Sequence, residues 1–227
     1  MINYKFAYLV GNILILVPVW LILFLVRRDL RKELMFLSLM GALMAFLTSS
    51  WFMKDYWIPV CIKFFGSCLE DILNGFVLVG TASVIYEVIF RRKHSNKKIG
   101  LYVYLIAFVI EISIFLIFII LIKYFSFNSI YSSVIAMAIF GLAIMLIRND
   151  LIKDALFSGL FMGLIFIIGY PILTRIYPEL FIRFWKLSNL SGIYLTGIPI
   201  EEIIWAFFEG LLVGPAYEFI AGIRYKR

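Results

Sequence analysis

Seven stretches of this chain are mostly apolar and each about 20 residues long, the length a helix needs to cross hydrocarbon, the last being the least apolar because it holds Glu201, Glu202, Glu209 and Glu218. They run over 6–26, 34–53, 70–90, 101–123, 129–147, 155–174 and 200–222. Inside a bilayer no water is present to satisfy backbone amides, so such segments are forced to be helices. Composition agrees: hydrophobic residues make up 64% of the chain and charged residues 15%, against roughly 25% charged in a soluble domain. Too few charges remain to cover a water-facing surface. Cytosolic enzymes, nucleic-acid binders and secreted disulfide scaffolds are excluded, and the fold class is an all-α polytopic membrane protein. The first stretch outlasts the 7–15 residues of a signal-peptide core and is followed by no A-x-A-like site, so it reads as a first membrane helix.

The net charge of +7 matters less than its distribution. The connections after stretches one, three and five, together with the C-terminus, hold 14 Lys and Arg, and the other face holds 7. The positive-inside rule then places the C-terminus in the cytoplasm and the N-terminus outside. His94 lies within a basic run with Arg91, Arg92, Lys93, Lys97 and Lys98 and reads as a solvated loop residue. The two longer connections, 54–69 and 175–199, carry Tyr56, Trp57, Phe64, Phe65 and Tyr177, Phe181, Phe184, Trp185, and read as segments at headgroup level. Cys61 and Cys68 are too few for a disulfide framework, and no CxxC or HExxH spacing suggests a metal.

The chain also repeats itself. Glu70-Asp71 precede Tyr86-Glu87 by 16 residues, and Glu201-Glu202 precede Tyr217-Glu218 by the same 16. Upstream, the run Arg28-Asp29-Leu30-Arg31-Lys32-Glu33 resembles Asn149-Asp150-Leu151-Ile152-Lys153-Asp154. This divides the chain into a three-helix unit over 1–98, a linking helix over 99–126 and a second three-helix unit over 127–227. A single linking span makes both units enter the membrane from the same side, so the repeats are parallel. Sixteen residues of helix rise about 24 Å, which puts the acidic pairs near the outer ends and the Tyr-Glu pairs near the cytoplasmic ends. Packed about a pseudo-twofold axis, the acidic pairs would face each other across a cleft.

Ionisable groups at membrane depth are costly and are functional candidates by default. Glu202 and Glu209 are seven residues apart, within about 20° of each other around a helix and about 10 Å along it. Two such carboxyls in one cavity offer a proton donor and a neighbour able to take a proton back. Glu201, Glu202, Glu70, Asp71 and Glu209 are therefore the catalytic candidates. The plainer reading is that acids at a helix start cap it, and Pro199 in the first turn suits a helix N-terminus. Glu111, central in the linking span, has the plain reading of a hydrogen bond to a neighbouring helix. The Tyr86-Glu87 and Tyr217-Glu218 pairs read as interface anchors and partners of the basic loops. Trp57, Phe76, Trp205, Phe207 and Phe208 lie near the acids and have π faces suited to stabilising a cation, although packing is the ordinary role of such rings.

At Pro199-Ile200-Glu201-Glu202 the sequence carries a P-x-E-[ED] signature and resembles the membrane-integral, non-flavin lycopene cyclase domain family in its fused two-half form. In the first half Cys68 stands where that signature has proline, leaving Leu69-Glu70-Asp71. The resemblance implies ring closure of a linear carotenoid end group: a carboxylic acid protonates a terminal double bond, the carbocation attacks a nearby double bond, and a proton is lost. It implies an acid at Glu201 or Glu202, a base at Glu70 or Asp71, and a polyene-binding wall of aromatics beside Pro199. The reaction is an isomerisation without net redox change, so no cofactor is expected, and no Gly-rich phosphate motif is found. The implied partner is a polyene or isoprenoid dissolved in the lipid bilayer. A homo-oligomer is compatible with the sequence.

Other classes share features with the chain. A three-plus-one-plus-three parallel-repeat transporter would use the same acids as proton or substrate sites; its hallmark Gly or Pro breaks, here Gly80 and Gly214-Pro215, sit at different offsets from the acidic pairs. A retinal protein would need a lysine in the last span, and none lies between Ile198 and Arg224. A metal-dependent prenyl-diphosphate enzyme would use Asp29 with Glu33 and Asp150 with Asp154, residues that read more simply as helix-start acids beside Arg and Lys. A non-enzymatic scaffold is the remaining class.

Overall fold

The computed structural model describes residues 3–93 and 100–223. His94, Lys97 and Lys98, and the basic C-terminal residues Arg224, Lys226 and Arg227, lie outside the described residues. Seven helices are long and apolar enough to cross a membrane: α1 (Tyr4–Val26), α2 (Arg28–Asp55), α3 (Leu69–Ile89), α4 (Leu101–Phe125), α5 (Ser129–Ile147), α6 (Asn149–Ile176) and α7 (Ile200–Ala221). They coincide with the seven apolar stretches. The helix α1 is not uniform, because Asn12–Leu16 form a π-helical turn within it. The amide of Tyr131 donates to the Asn128 side chain at 3.1 Å and so caps the start of α5. Near its C-terminal end α7 breaks at Gly214 and Pro215, where proline supplies no amide to the ladder.

The longer connections are more ordered than headgroup-level loops need be. Each contains a two-residue hairpin directly before a membrane helix: β1 (Lys63–Phe64) pairs with β2 (Ser67–Cys68) ahead of α3, and β3 (Tyr194–Leu195) with β4 (Ile198–Pro199) ahead of α7. The hairpin tips are Phe65-Gly66 and Thr196-Gly197, and all four residues have positive φ. Two-residue hairpin loops favour this left-handed geometry because its twist matches that of the strands, and glycine adopts it without strain. The two connections also meet: Trp57 and Trp185 form an antiparallel bridge, with the Ile58 amide donating to the Phe184 carbonyl at 2.6 Å and the Lys186 amide to the Tyr56 carbonyl at 2.8 Å.

Cys61 and Cys68 are joined in a disulfide that closes the first hairpin loop. A thiol-reactive maleimide is therefore expected to leave the purified protein unlabelled until it is reduced, and then to add two groups. Labelling before reduction would show the bridge to be absent.

Packing is densest between α2 and α3 and between α6 and α7. In the first pair the backbones touch: a Cβ added at Gly75 would lie 2.4 Å from the Gly41 carbonyl oxygen, and one at Gly41 2.4 Å from that of Gly75. In the second pair a Cβ at Gly210 would lie 2.5 Å from the Ser158 carbonyl oxygen. Small residues at such crossings let membrane helices gain close van der Waals contact, the main source of association where lipid removes the hydrophobic drive.

The other end of the bundle carries two arginine clasps. Arg27 grips Asp29 through Nε at 2.9 Å and Nη2 at 2.7 Å, and also donates to the carbonyls of Glu87 and Arg92 at 2.8 and 2.7 Å. Arg148 grips Asp150 through both nitrogens at 2.7 Å and reaches the Glu218 and Ile223 carbonyls at 3.5 and 2.9 Å. Each cation thus sits on carbonyls at and just beyond the end of a helix, Arg27 beside α3 and Arg148 beside α7. Asp29 and Asp150 are therefore engaged by arginine.

Candidate active site

A cavity of about 340 Å³ lies among the helices and is walled by residues of all seven, α1 to α7. Most of its wall is apolar, and four carboxyl residues line it: Asp71 from α3, Glu111 from α4, and Glu202 and Glu209 from α7. A cavity of this size suits part of a small-molecule ligand, with a few placed polar groups setting orientation.

The acidic pairs divide. Asp71 and Glu202, the second member of each, line the cavity, whereas Glu70 and Glu201 do not. Asp71 accepts hydrogen bonds from the Tyr8 hydroxyl at 2.7 Å and from Ser49, and Asn74 Nδ2 supports Tyr8 at 3.0 Å. Glu202 accepts from the Tyr170 hydroxyl and from Trp185 Nε1 at 2.7 Å. The first members face the hairpins instead. Glu70 accepts the Ile62 amide at 2.9 and 3.2 Å, and Glu201 accepts the Ser191 amide at 2.6 Å and the Tyr131 hydroxyl at 2.9 Å. Neighbours on a helix point about 100° apart, so one member of each pair faces the cavity while the other holds the backbone of the preceding loop.

Helix rotation also sorts the remaining candidates. From Glu202, positions three and seven residues on lie within about 60° of it, which brings Trp205 and Glu209 onto the cavity wall. Positions five and six residues on turn away. Phe207 and Phe208 accordingly do not line the cavity; they pack edge to face at 5.4 Å, Phe207 against Gly159 and Phe208 in the cluster around Met137 and Ile144. Phe76, five residues after Asp71, is likewise turned out and rests on Trp20 at 5.4 Å. Pro199 ends β4 and caps the start of α7 without reaching the cavity. Trp57 does line it, tilted against Trp185 at 5.3 Å and edge to face with Tyr8 at 4.5 Å.

Within this site some polar atoms have no hydrogen-bond partner among the described residues: Glu209 Oε2, both Glu111 oxygens and Trp205 Nε1. The expected helix-to-helix bond of Glu111 is not formed. At the end of the bundle that holds the arginine clasps, Glu87, Asp154 and Glu218 are buried and can bring carboxylate oxygens within 4.8 Å of one another. Tyr86 and Tyr217 are buried too, so these tyrosines pack inside the bundle and are not interface anchors.

Sequence reasoning missed Tyr8, Ser49, Asn74 and Tyr170, which hold or support the two cavity acids. Their polar groups inside apolar stretches are a weak signal, and no fixed spacing links them to the acids. Trp185 was legible only as an interfacial aromatic. The hairpins had a clearer mark, since Gly66 and Gly197 each stand four residues before the first acid of a pair.

Residues 128–220 match the family model for lycopene cyclase. The match covers α5 to α7, including the Pro199-Ile200-Glu201-Glu202 signature and the cavity-lining Glu202 and Glu209, and supports a cyclase-like function. No curated protein and no solved structure matches the chain significantly.

Proposed function

We propose that this protein is an intramolecular isomerase that closes a ring at the end of a linear, bilayer-dissolved carotenoid. The observation that carries this reading is the set of carboxyls from α3, α4 and α7 on one mostly apolar cavity, with Glu202 and Glu209 sharing a helix face in the matched segment.

In this reading the Glu202–Glu209 pair supplies the proton. A carboxyl O–H bond breaks as a C–H bond forms at the terminal double bond, leaving a cationic carbon. A nearby double bond attacks that carbon, the ring closes, and the charge moves to a ring carbon. Loss of a neighbouring proton to a carboxylate restores a double bond, and atoms and charge balance without redox. Glu209 lines the cavity and its Oε2 has no hydrogen-bond partner among the described residues, while Tyr170 and Trp185 fix Glu202 in place. Asp71, held by Tyr8 and Ser49, opposes the cation from the first half and is one proton acceptor. Trp57 and Trp205 offer π faces to the cation. The first half has Leu78 where the repeat spacing puts Glu209 in the second, which supports placing the acid in the second half.

The two halves are read as a parallel repeat joined by α4. Supporting it are the shared order of 3-10 turn, long helix, hairpin and third helix, and the matching clasps of Arg27 and Arg148. For orientation we take the N-terminus as outside and the C-terminus as cytoplasmic. The disulfide lies on the N-terminal side, and such bonds persist in oxidising surroundings.

Expression in a lycopene-accumulating bacterial host, with chromatography of the extracted pigment, tests the function. Cyclic product is expected. Unchanged lycopene, with the protein verified in the membrane, would sink the reading and turn attention to transport.

A further inference from the structure

The linking helix lies outside the segment matched to the cyclase family, yet it places a carboxyl in the cavity. Glu111 stands ten residues into α4, about 15 Å along it and therefore near the middle of the span. Its side chain is only 8% exposed, and neither oxygen has a hydrogen-bond partner among the described residues. A buried carboxyl is costly unless something engages it, and membrane-depth acids mark functional positions. Asp71 differs: Tyr8 and Ser49 already occupy its two oxygens. Glu111 lines the same cavity, and neither of its oxygens is engaged by another described residue.

We propose that Glu111 is a second proton acceptor and determines which ring double bond forms. This rests on the cyclase reading above. The ring-closed cation has more than one neighbouring carbon bearing hydrogen. Loss of a proton from each gives a different ring isomer: the C–H electron pair becomes the new C=C bond and the proton passes to a carboxylate oxygen. The isomer formed is set by which C–H the acceptor faces, since proton transfer requires hydrogen-bond reach. Asp71 on α3 and Glu111 on α4 approach the cavity from different helices, so each faces a different part of the ring. Return of the proton to the donor pair resets the site.

The test compares wild type, Glu111→Gln and Glu111→Asp in the lycopene-accumulating host, with the protein quantified in the membrane and ring isomers separated by chromatography. Glu111→Gln keeps the size and removes the acceptor. It is expected to shift the isomer ratio by about tenfold, the lower end of what one misplaced acid–base group costs. Should Glu111→Gln abolish product, Glu111→Asp is expected to restore it with a shifted ratio. An unchanged isomer ratio in Glu111→Gln overturns the inference, whatever the overall rate, and so does a Glu111→Asp protein that fails to restore lost product. Absence of cyclic product from the wild type overturns the cyclase reading itself, and this inference with it.

Discussion

A Glu202→Gln protein is expected to lose cyclisation by about 10²- to 10⁴-fold, the usual contribution of a positioned acid–base group. Glutamine nearly matches glutamate in shape, so the cavity wall persists, but the amide has no proton of suitable acidity to give. Its NH₂ group also confronts one of the two donors, Tyr170 or Trp185, that now converge on carboxylate oxygens. Glu201→Gln provides the contrast. Its carbonyl still accepts the Ser191 amide and the Tyr131 hydroxyl, and it does not line the cavity, so activity is expected to stay within a fewfold of wild type. Pigment chromatography at matched membrane expression reads both. Equal loss in the two variants would refute the division of the acidic pair, and loss only in Glu201→Gln would reverse it.

Gly75→Leu is expected to be the most damaging change away from the cavity. The first new carbon would lie 2.4 Å from the Gly41 carbonyl oxygen, a backbone atom that cannot swing aside. The α2–α3 crossing must then open, forfeiting the contacts made by two close-packed backbones. Overpacking a well-filled core costs about 1–3 kcal/mol and occasionally more, and a clash with backbone belongs at the upper end. Gly163→Ala is the control, because a Cβ there meets nothing nearer than 3.9 Å. Thermal unfolding in detergent should show a large drop in midpoint for Gly75→Leu and almost none for Gly163→Ala. Similar midpoints for the two would mean that the crossing is not tight.

The seven helices were legible because hydrocarbon thickness imposes a length on each, and 64% hydrophobic composition leaves little else for the chain to do. The shared face of Glu202 and Glu209 was legible because a spacing of seven is almost two whole turns. The split within Glu70-Asp71 and Glu201-Glu202 was not. Adjacent residues differ only by rotation, and which one turns inward depends on helices packed alongside. Tyr8, 63 residues from Asp71, and Tyr170, 32 from Glu202, are partners chosen by tertiary packing alone. The hairpins escaped notice because strands of two residues show no alternation.

The π turn over Asn12–Leu16 amounts to a change of length inside a helix. Such a turn accommodates one residue more than the α-helix does, so everything upstream is rotated by about 100° relative to an unbroken helix. Tyr8 lies upstream, and its hydroxyl meets Asp71 from that rotated position. Shortening this helix by a single residue would do more than trim it. The tyrosine would swing about a quarter turn around the axis, and the acid on α3 would keep Ser49 but lose Tyr8 without a change in any side chain. Chain length in the first span is in this sense a setting of the site, fixed as firmly as the identity of the acid it serves.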